Sequence, residues 1–284
     1  MEKIKIGNLE LKNRFLLAPM LEPNDIAFRI LCKKSGCALT YTGMTSPLSK
    51  KRVLLDDKPA VQLFGNSEKG IKTFIEKNDR KVSLWDFNLG CPSKLSKRLH
   101  HGAFMHKEIS LIEKILKTMR DSTKKPITIK LRKSKNAIEI ARVAEKYVDA
   151  IAIHPREISQ GYSGKPNYDF ALKIKNAVSV PVIYSGDVDE ENAFKILEDF
   201  DFVFIGRRAI GNPNIFSKLT GSADNFTFLD YLDLTKKYNL PFRQIKMQAM
   251  NFTKGMKDAK DVRRKLVKIK TLKELETNKY LLFQ

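Results

Sequence analysis

Short apolar runs alternate with amphipathic stretches along the first two thirds of the chain. The apolar runs predict eight strands, at residues 14–18, 38–42, 60–63, 83–87, 127–131, 150–153, 180–184 and 202–205. Apolar residues at helical spacing predict helices between most of them, at residues 25–36, 68–77, 110–119, 137–147, 167–177 and 190–198, with a short extra helix within 211–219. Asn24 or Asp25 is the predicted cap of the first helix, and the polar, basic segment 45–58 is a predicted loop. This alternation is typical of a parallel sheet, and eight units predict a closed (β/α)8 TIM barrel of the α/β class.

The composition of the chain becomes more basic after Gly221. Residues 224–284 contain 14 Lys or Arg against 7 Asp or Glu. Helical apolar spacing at 228–238, 242–252 and 262–275 predicts a small bundle of three or four helices. We therefore expect a barrel over residues 1–222 and a basic helical domain over 223–284. The alternative is a solvated helical appendage that only covers the barrel.

Composition and charge narrow the class of protein. With 284 residues, 42% of them hydrophobic, the chain can bury a sizeable core. The 53 basic and 32 acidic residues give a net charge of +21, which predicts a nucleic-acid partner, although a lysine-rich surface alone could explain it. No apolar run approaches a membrane span and the N-terminus has no signal-peptide core, so we expect a cytoplasmic protein without a membrane partner. Three cysteines without close spacing predict neither a disulfide framework nor a metal site.

Cys91 is the candidate reactive residue. It follows a predicted strand and stands between Gly90 and Pro92, which prevent the strand from continuing. Such a turn holds a side chain rigidly at the end of a sheet, where it can reach a ligand. Free cysteine more often only packs, and this is the interpretation we give to Cys32 and Cys37.

Chemically unusual residues recur at the carboxyl ends of the predicted strands. They are Met20, Gln62, Asn88, Cys91, Lys130, His154, Asp187 and Arg207. In a (β/α)8 barrel these ends converge on one mouth, so we expect a single pocket. Lys130 inside an apolar run predicts a bound anion, or else a side chain that snorkels to water, and His154 could instead be a core histidine.

The last two predicted units resemble a phosphate site. The turns Ser185-Gly186-Asp187 and Gly206-Arg207 contain glycines that allow backbone N–H groups to approach a ligand. The loops after the seventh and eighth strands often bind phosphate in this fold, and Arg207 adds a cation there. We therefore expect a phosphorylated cofactor.

The motifs together resemble those of the tRNA-dihydrouridine synthases over residues 14–216, and more loosely beyond. The matching segments are Ala18-Pro19-Met20, Val61-Gln62-Leu63, Asn88-Leu89-Gly90-Cys91-Pro92, Ile129-Lys130, Ile153-His154-Pro155-Arg156, Gln160-Gly161-Tyr162-Ser163-Gly164, Gly186-Asp187 and Ile205-Gly206-Arg207. Two segments depart from the family pattern: Ser185 stands where asparagine is usual, and His100-His101-Gly102-Ala103-Phe104 replaces a run of small and apolar residues.

This resemblance implies an FMN-dependent enzyme that reduces the C5–C6 double bond of specific uridines in tRNA. The implied FMN ligands are Pro19, Met20, Gln62, Lys130 and His154 around the ring, and Ser185, Gly186, Asp187, Gly206 and Arg207 at the phosphate. Cys91 would donate a proton to C5 opposite the hydride, and Asn88 would hold the uracil. NADPH or NADH would serve as a transient reductant.

The resemblance also places a helical RNA-binding domain at the end of the chain. There Arg264 and Lys268 share a helix face, flanked by Arg263 and Lys270, and form a predicted phosphate-binding stripe. We expect the enzyme to work as a monomer. Two alternatives stay open: an FMN oxidoreductase of a free small molecule, similar to dihydroorotate dehydrogenase, and an RNA-binding barrel that has lost catalysis.

Overall fold

The computed structural model describes residues 4–50 and 52–282 and shows a parallel eight-stranded barrel. A two-stranded antiparallel hairpin, Lys5–Ile6 (β1) and Leu9–Glu10 (β2), precedes it. The barrel strands are Phe15–Leu17 (β3), Leu39–Thr40 (β4), Ala60–Leu63 (β5), Leu84–Leu89 (β6), Ile127–Arg132 (β7), Ala150–His154 (β8), Val182–Ser185 (β9) and Phe202–Ile205 (β10).

The strand order closes on itself. The hydrogen-bonded order is β4-β3-β10-β9-β8-β7-β6-β5, with every pairing parallel. Two isolated parallel bridges, Tyr41 to Ala60 and Thr45 to Leu63, join the remaining edges. The predicted (β/α)8 barrel followed by C-terminal helices is therefore confirmed.

The helices are long enough to cover most of the barrel and to build a C-terminal bundle. They are Ile26–Lys34 (α1), Ile71–Asn78 (α2), Lys94–Arg98 (α3), Ile109–Ser122 (α4), Ala137–Ala144 (α5), Tyr168–Lys175 (α6), Ala193–Asp199 (α7), Ile215–Thr220 (α8), Phe228–Tyr238 (α9), Phe242–Phe252 (α10), Ala259–Lys268 (α11) and Leu272–Leu282 (α12). Asp25 is the cap of α1, since its Oδ1 accepts the Phe28 N–H at 2.9 Å. The described helices are also too short or too polar to cross a membrane.

Three local features differ from the sequence prediction. The basic stretch Lys94–Arg98, which lies outside the helices predicted from apolar spacing, is a short helix capped by the Ser93 hydroxyl. The predicted helix 262–275 is two helices, because the chain turns extended at Ile269. The hairpin β1-β2 was not predicted at all, since two-residue strands carry almost no periodicity.

Two hydrophobic cores follow from the strand alternation. Side chains that face outward pack beneath the helices, while the barrel interior holds a smaller cluster. Ile6 of the hairpin is fully buried in this inner cluster beside Leu16, Leu39 and Phe202. The hairpin therefore caps the amino-terminal end of the barrel, and the opposite end remains open to ligands.

The C-terminal helices dock on the first barrel helix. The Oδ2 of Asp25 accepts hydrogen bonds from the Tyr231 hydroxyl (3.1 Å) and the Gln248 Nε2 (3.2 Å). Burial raises the pKa of this carboxyl. Gly211, at positive φ, faces the end of α10 so closely that a Cβ there would lie 2.2 Å from the Asn251 carbonyl oxygen. This junction fixes the helical segment against the rim of the barrel.

Candidate active site

A cavity of about 490 Å³ opens at the carboxyl ends of the strands. It is lined by Ala18, Pro19, Met20, Lys130, His154, Tyr162, Ser185, Gly186, Asp187, Val188, Asp189, Phe204, Gly206, Arg207 and Arg208. The predicted mouth residues that line it belong to strands β3, β7, β8, β9 and β10 or the loops after them. Gln62, Asn88 and Cys91 do not line it and are held in a neighbouring region of the same mouth.

Lys130 contributes a cation to the cavity wall. It lies on β7 opposite Asn88 of β6, and its side chain is half-buried. Within the described residues no side chain or carbonyl forms a hydrogen bond or ion pair with its ammonium. Burial and the charge of the nearby Arg132 lower the pKa of Lys130 to about 8. The charges of Asp86 and Cys91 act in the opposite direction and offset this shift only in part. A buried cation without a partner is costly, so this position is suited to a ligand that carries negative charge.

His154 is held neutral on the neighbouring strand. Burial lowers its pKa to about 2, and the charges of Lys130, Arg132, Arg156 and Arg207 act in the same direction. Its Nε2 lies 3.3 Å from the Arg156 Nη1. A guanidinium can only donate, so Nε2 accepts and the proton resides on Nδ1. His154 is therefore a neutral hydrogen-bond donor at the cavity wall.

A chain of buried hydrogen bonds runs beneath the mouth and reaches Cys91. The Thr128 hydroxyl donates to Asp86 Oδ1 (2.5 Å), and Gln62 Nε2 donates to Asp86 Oδ2 (2.6 Å). Asn88 Nδ2 donates to Gln62 Oε1 (2.7 Å), and its own Oδ1 accepts the Cys91 N–H (3.0 Å). Burial raises the pKa of Asp86 to about 7. The predicted ligands Gln62 and Asn88 thus use most of their side-chain hydrogen bonds to hold the Cys91 turn. Each side-chain amide still has one N–H hydrogen without a hydrogen bond among the described residues.

Backbone packing also fixes the position of Cys91. Asn88 Oδ1 accepts the Gly90 N–H as well (3.2 Å), and a Cβ at Gly90 would lie 3.1 Å from the Lys130 carbonyl oxygen. Gly102 has positive φ, and a Cβ there would lie 2.8 Å from the Cys91 carbonyl oxygen. The thiol is half-exposed and free, in contrast to the buried Cys32 and Cys37. Cys91 is therefore rigidly placed and accessible.

The predicted phosphate end carries charges of both signs. The Asp187 carboxylate pairs with Arg207 (2.5 Å) and with the buried Arg156. Arg208 pairs with Asp189 (3.2 Å). The guanidinium of Arg207 also lies 4.9 Å from the centre of the Tyr162 ring. A carboxylate cannot donate a hydrogen bond to phosphate oxygens, so only the backbone N–H of Asp187 could bind a phosphate, while the carboxylate holds the two arginines.

The two glycine turns differ in what they require. Gly186 has a φ of 144°, and a Cβ there would lie 3.1 Å from a Pro166 ring carbon. At position 206, packing within the protein does not require a glycine. A Cβ there would lie 3.7 Å from the Ala18 Cβ, an ordinary contact distance. The space in front of Gly206 belongs to the cavity, so the missing side chain leaves room for a ligand.

The structure separates the members of the predicted tail stripe. Arg263 is half-buried, and its Nε donates to the Thr253 hydroxyl at 2.7 Å. Arg264 pairs with Asp261 at 3.1 Å on an exposed face of α11. Lys268 is exposed at the end of this helix. Arg264 and Lys268 are therefore exposed members of the stripe, and Arg264 shares its guanidinium with Asp261.

Two buried arginines of the site were not singled out from the sequence. Arg132 donates to the Gly90 carbonyl oxygen (2.9 Å) and the Gly161 carbonyl oxygen (3.0 Å). Arg156 holds Asp187 and His154. Arg132 stands two positions after Lys130 on β7, so the two-residue period of a strand could have indicated their shared side. Arg156 lies two positions beyond the end of β8, where this period no longer applies.

Comparisons with known proteins agree on a family. A model of the family described as dihydrouridine synthase matches residues 16–282. The tRNA-dihydrouridine synthase B of Vibrio vulnificus is 32% identical over 81% of this chain and 78% of its own length. The protein of the same description from Pseudomonas aeruginosa is 31% identical over 77% of this chain and 72% of its own length.

Solved structures show the same fold at low sequence identity. A morphinone reductase in complex with tetrahydroNAD superposes with a TM-score of 0.55 at 11% identity, over 79% of this chain and 91% of its own. A variant of NCR from Zymomonas mobilis gives 0.54 at 13% identity, over 81% and 96%. These likenesses support the barrel architecture.

Proposed function

This chain belongs to the dihydrouridine synthase family of flavin-dependent oxidoreductases, and we propose that it reduces the C5–C6 double bond of uridines in tRNA, with FMN as its flavin. The family membership favours this reaction over the two alternatives left open by the sequence. The observation that carries the proposal is the convergence, at one barrel mouth, of a cavity with a free cation and a rigidly held, accessible thiol.

The residues of the cavity fit a phosphorylated flavin. Lys130 offers an ammonium that has no hydrogen-bond or ion-pair partner among the described residues, and His154 offers a neutral N–H donor; both suit the polar edge of the ring. Pro19 and Met20 supply the apolar wall. The other end of the cavity suits the phosphate. It offers the Ser185 side chain, the Arg207 cation and the backbone of Gly186, Asp187 and Gly206. Gln62 does not line the cavity, and it would donate its remaining Nε2 hydrogen toward the flavin.

The bound flavin would supply hydride to C6 of the uracil. Cys91 then donates its proton to C5, and its turn is rigid enough to keep the thiol in place. Asn88 fixes this turn and uses its remaining Nδ2 hydrogen for the uracil. Because the base must leave its stack to reach the flavin, the substrate uridine lies in a non-helical part of the RNA. We also propose that the enzyme is a cytoplasmic monomer and that NADPH or NADH re-reduces the flavin.

Two measurements test this proposal. The purified protein should be yellow and release FMN on denaturation. Incubation with unmodified tRNA and NADPH, and in parallel with NADH, should convert defined uridines to dihydrouridine, which mapping of the RNA would locate. If the protein instead oxidises the nicotinamide without tRNA and forms no dihydrouridine, it is a small-molecule oxidoreductase. A colourless protein that binds tRNA would indicate a barrel without catalysis.

The tail is expected to bind tRNA through phosphates. Replacing Arg264 and Lys268 with Gln should weaken tRNA binding and flatten its salt dependence by up to about 0.9 log units per lost duplex-like contact. The flavin content should not change, because the tail lies outside the cavity. Adding Arg263→Gln should lower thermal stability as well, since its guanidinium holds Thr253. If the double variant keeps the parent's affinity and salt slope, these helices are a structural cover.

A further inference from the structure

In the part of the chain that the structure describes, the second unit of the barrel has no helix on its outer side. Between Thr40 of β4 and Ala60 of β5, the described residues form turns and extended segments only. In the regular fold a helix would pack here beside α2. The segment that replaces it starts at the mouth and descends along the flank of α2 to Lys58, just before β5 begins.

This replacement leaves a groove of about 850 Å³ on the flank of the barrel, which we call the flank groove. Its floor is apolar and includes Val53, Leu55 and Phe74. Its rim carries six cations: Lys50, Arg52, Lys58, Lys77, Arg80 and Lys81. Asp56 is the one acidic residue among the described residues that line it.

The rim cations are free to bind a ligand. All six side chains are exposed, and within the described ranges none of them forms a hydrogen bond or an ion pair. Elsewhere on the barrel exposed cations often have partners, as Lys114 does with Glu68 (2.5 Å) and Arg208 with Asp189 (3.2 Å). Six like charges around one groove repel each other, so the site favours a partner with several negative charges.

We propose that the flank groove binds the phosphate backbone of the tRNA at a distance from the uridine that is reduced. This inference rests on the function proposed above. α2 has eight residues and so spans about 12 Å from the mouth side to its end. Lys77, Arg80 and Lys81 at that end therefore lie well away from Cys91 and contact a different part of the RNA.

The chemistry favours RNA over an acidic protein segment. The overall charge of +21 provides a field that attracts polyanions of any sequence. Regularly spaced phosphates match several cations that are spread along one groove, and neutralising them releases counterions. The apolar floor is partly closed by Leu48, which reaches over Gly70, so the rim and not the floor makes the contact.

The test compares two triple variants that remove the same charge. The groove variant carries Lys77→Gln, Arg80→Gln and Lys81→Gln. The control variant carries Arg142→Gln, Lys146→Gln and Lys173→Gln, three exposed cations around α5 and α6 that also have no ion pair among the described residues. Both variants lower the net charge by three, so a general loss of attraction affects them equally.

We expect only the groove variant to bind full-length tRNA clearly more weakly. Its slope of log affinity against log salt should fall by about 2, since each single-strand-like phosphate contact contributes about 0.7. FMN content and turnover at saturating tRNA should match the parent, because the groove does not touch the cavity. A variant with Lys77→Arg and Lys81→Arg should keep the parent's affinity and salt slope.

The outcomes of this test separate the groove from the proposed reaction. Equal affinity and salt slope for the parent and the groove variant overturn the groove as an RNA site, even if the parent makes dihydrouridine. An equal loss in the control variant overturns it too, because the effect would then be one of net charge. If the parent forms no dihydrouridine, the proposed function fails, while the affinity comparison still decides the groove.

Discussion

Replacing Cys91 with Ala is expected to leave FMN bound and to slow dihydrouridine formation by about 10²- to 10⁴-fold, the range that general acid catalysis contributes. The turn should survive the change, because Asn88 accepts the backbone N–H of residue 91 and the Gly102 contact is mainly to the backbone there. Only the proton donor is lost. The measurement is single-turnover dihydrouridine formation, together with flavin content and the rate of flavin reduction by NADPH.

Two further variants show whether the thiol itself matters. Cys91→Ser keeps the size of the side chain but offers a much weaker acid, so its turnover should also fall. Cys37→Ala removes a buried thiol that donates to the Leu39 carbonyl oxygen, and it should lower stability while turnover per folded molecule stays the same. Full activity of Cys91→Ala would show that solvent or another group protonates C5.

Replacing Lys130 with Met is expected to slow flavin reduction by about ten- to a hundredfold, or to cause loss of FMN. The methionine keeps the apolar stem and removes the cation, and a hydrogen bond with a charged group contributes about 1.5–3 kcal/mol. Affinity for tRNA should remain unchanged. Stopped-flow reduction by NADPH and the flavin content of the purified variant measure these effects.

The pH profile gives this prediction a second readout. The pKa of Lys130 is lowered to about 8, so the ammonium is charged below that pH and neutral above it. A bound anion favours the charged form, so the parent's reduction rate should fall at pH 8 or above, and this fall should be absent in Lys130→Met.

A matched substitution nearby controls for the loss of charge. Lys133→Met removes a cation that pairs with Glu157 (3.2 Å) and lies over the Phe170 ring, outside the cavity. Its reduction rate and pH profile should match the parent's. An unaltered rate and flavin content in Lys130→Met would place Lys130 outside the flavin site.

Residue patterns predicted the barrel because each strand carries its own local signal. Runs such as 150–153 and 202–205 are apolar on both faces, as is typical of strands buried between helices and the barrel interior. Their ends were predictable too, since Gly90, Pro92 and Gly186 interrupt the pattern. Parallel strands around a barrel bring all these ends to one side, so a common mouth followed from topology alone.

The partners of each side chain were not predictable, because they lie far apart in the chain. Gln62 stays a predicted flavin ligand, and the structure adds that it pairs with Asp86 and Asn88, 24 and 26 residues away. The backbone of Asp187 stays predicted at the phosphate, and the structure adds that its carboxylate binds two arginines. A polar side chain takes the nearest complementary group, and only the register of the strands brings that group near.

The sequence by itself therefore determined the class of fold, the side of the barrel that carries the chemistry and the accessible cysteine. The tertiary structure decided which residues line the cavity, which ones hold the Cys91 turn, and where cations stay without partners. Residues 45–58 illustrate the difference. Their basic composition was evident from the sequence, but the flank groove exists because packing against α2 leaves an outer helix position unfilled. Local periodicity reports the elements of a fold, whereas the space between elements depends on contacts among residues distant in the chain.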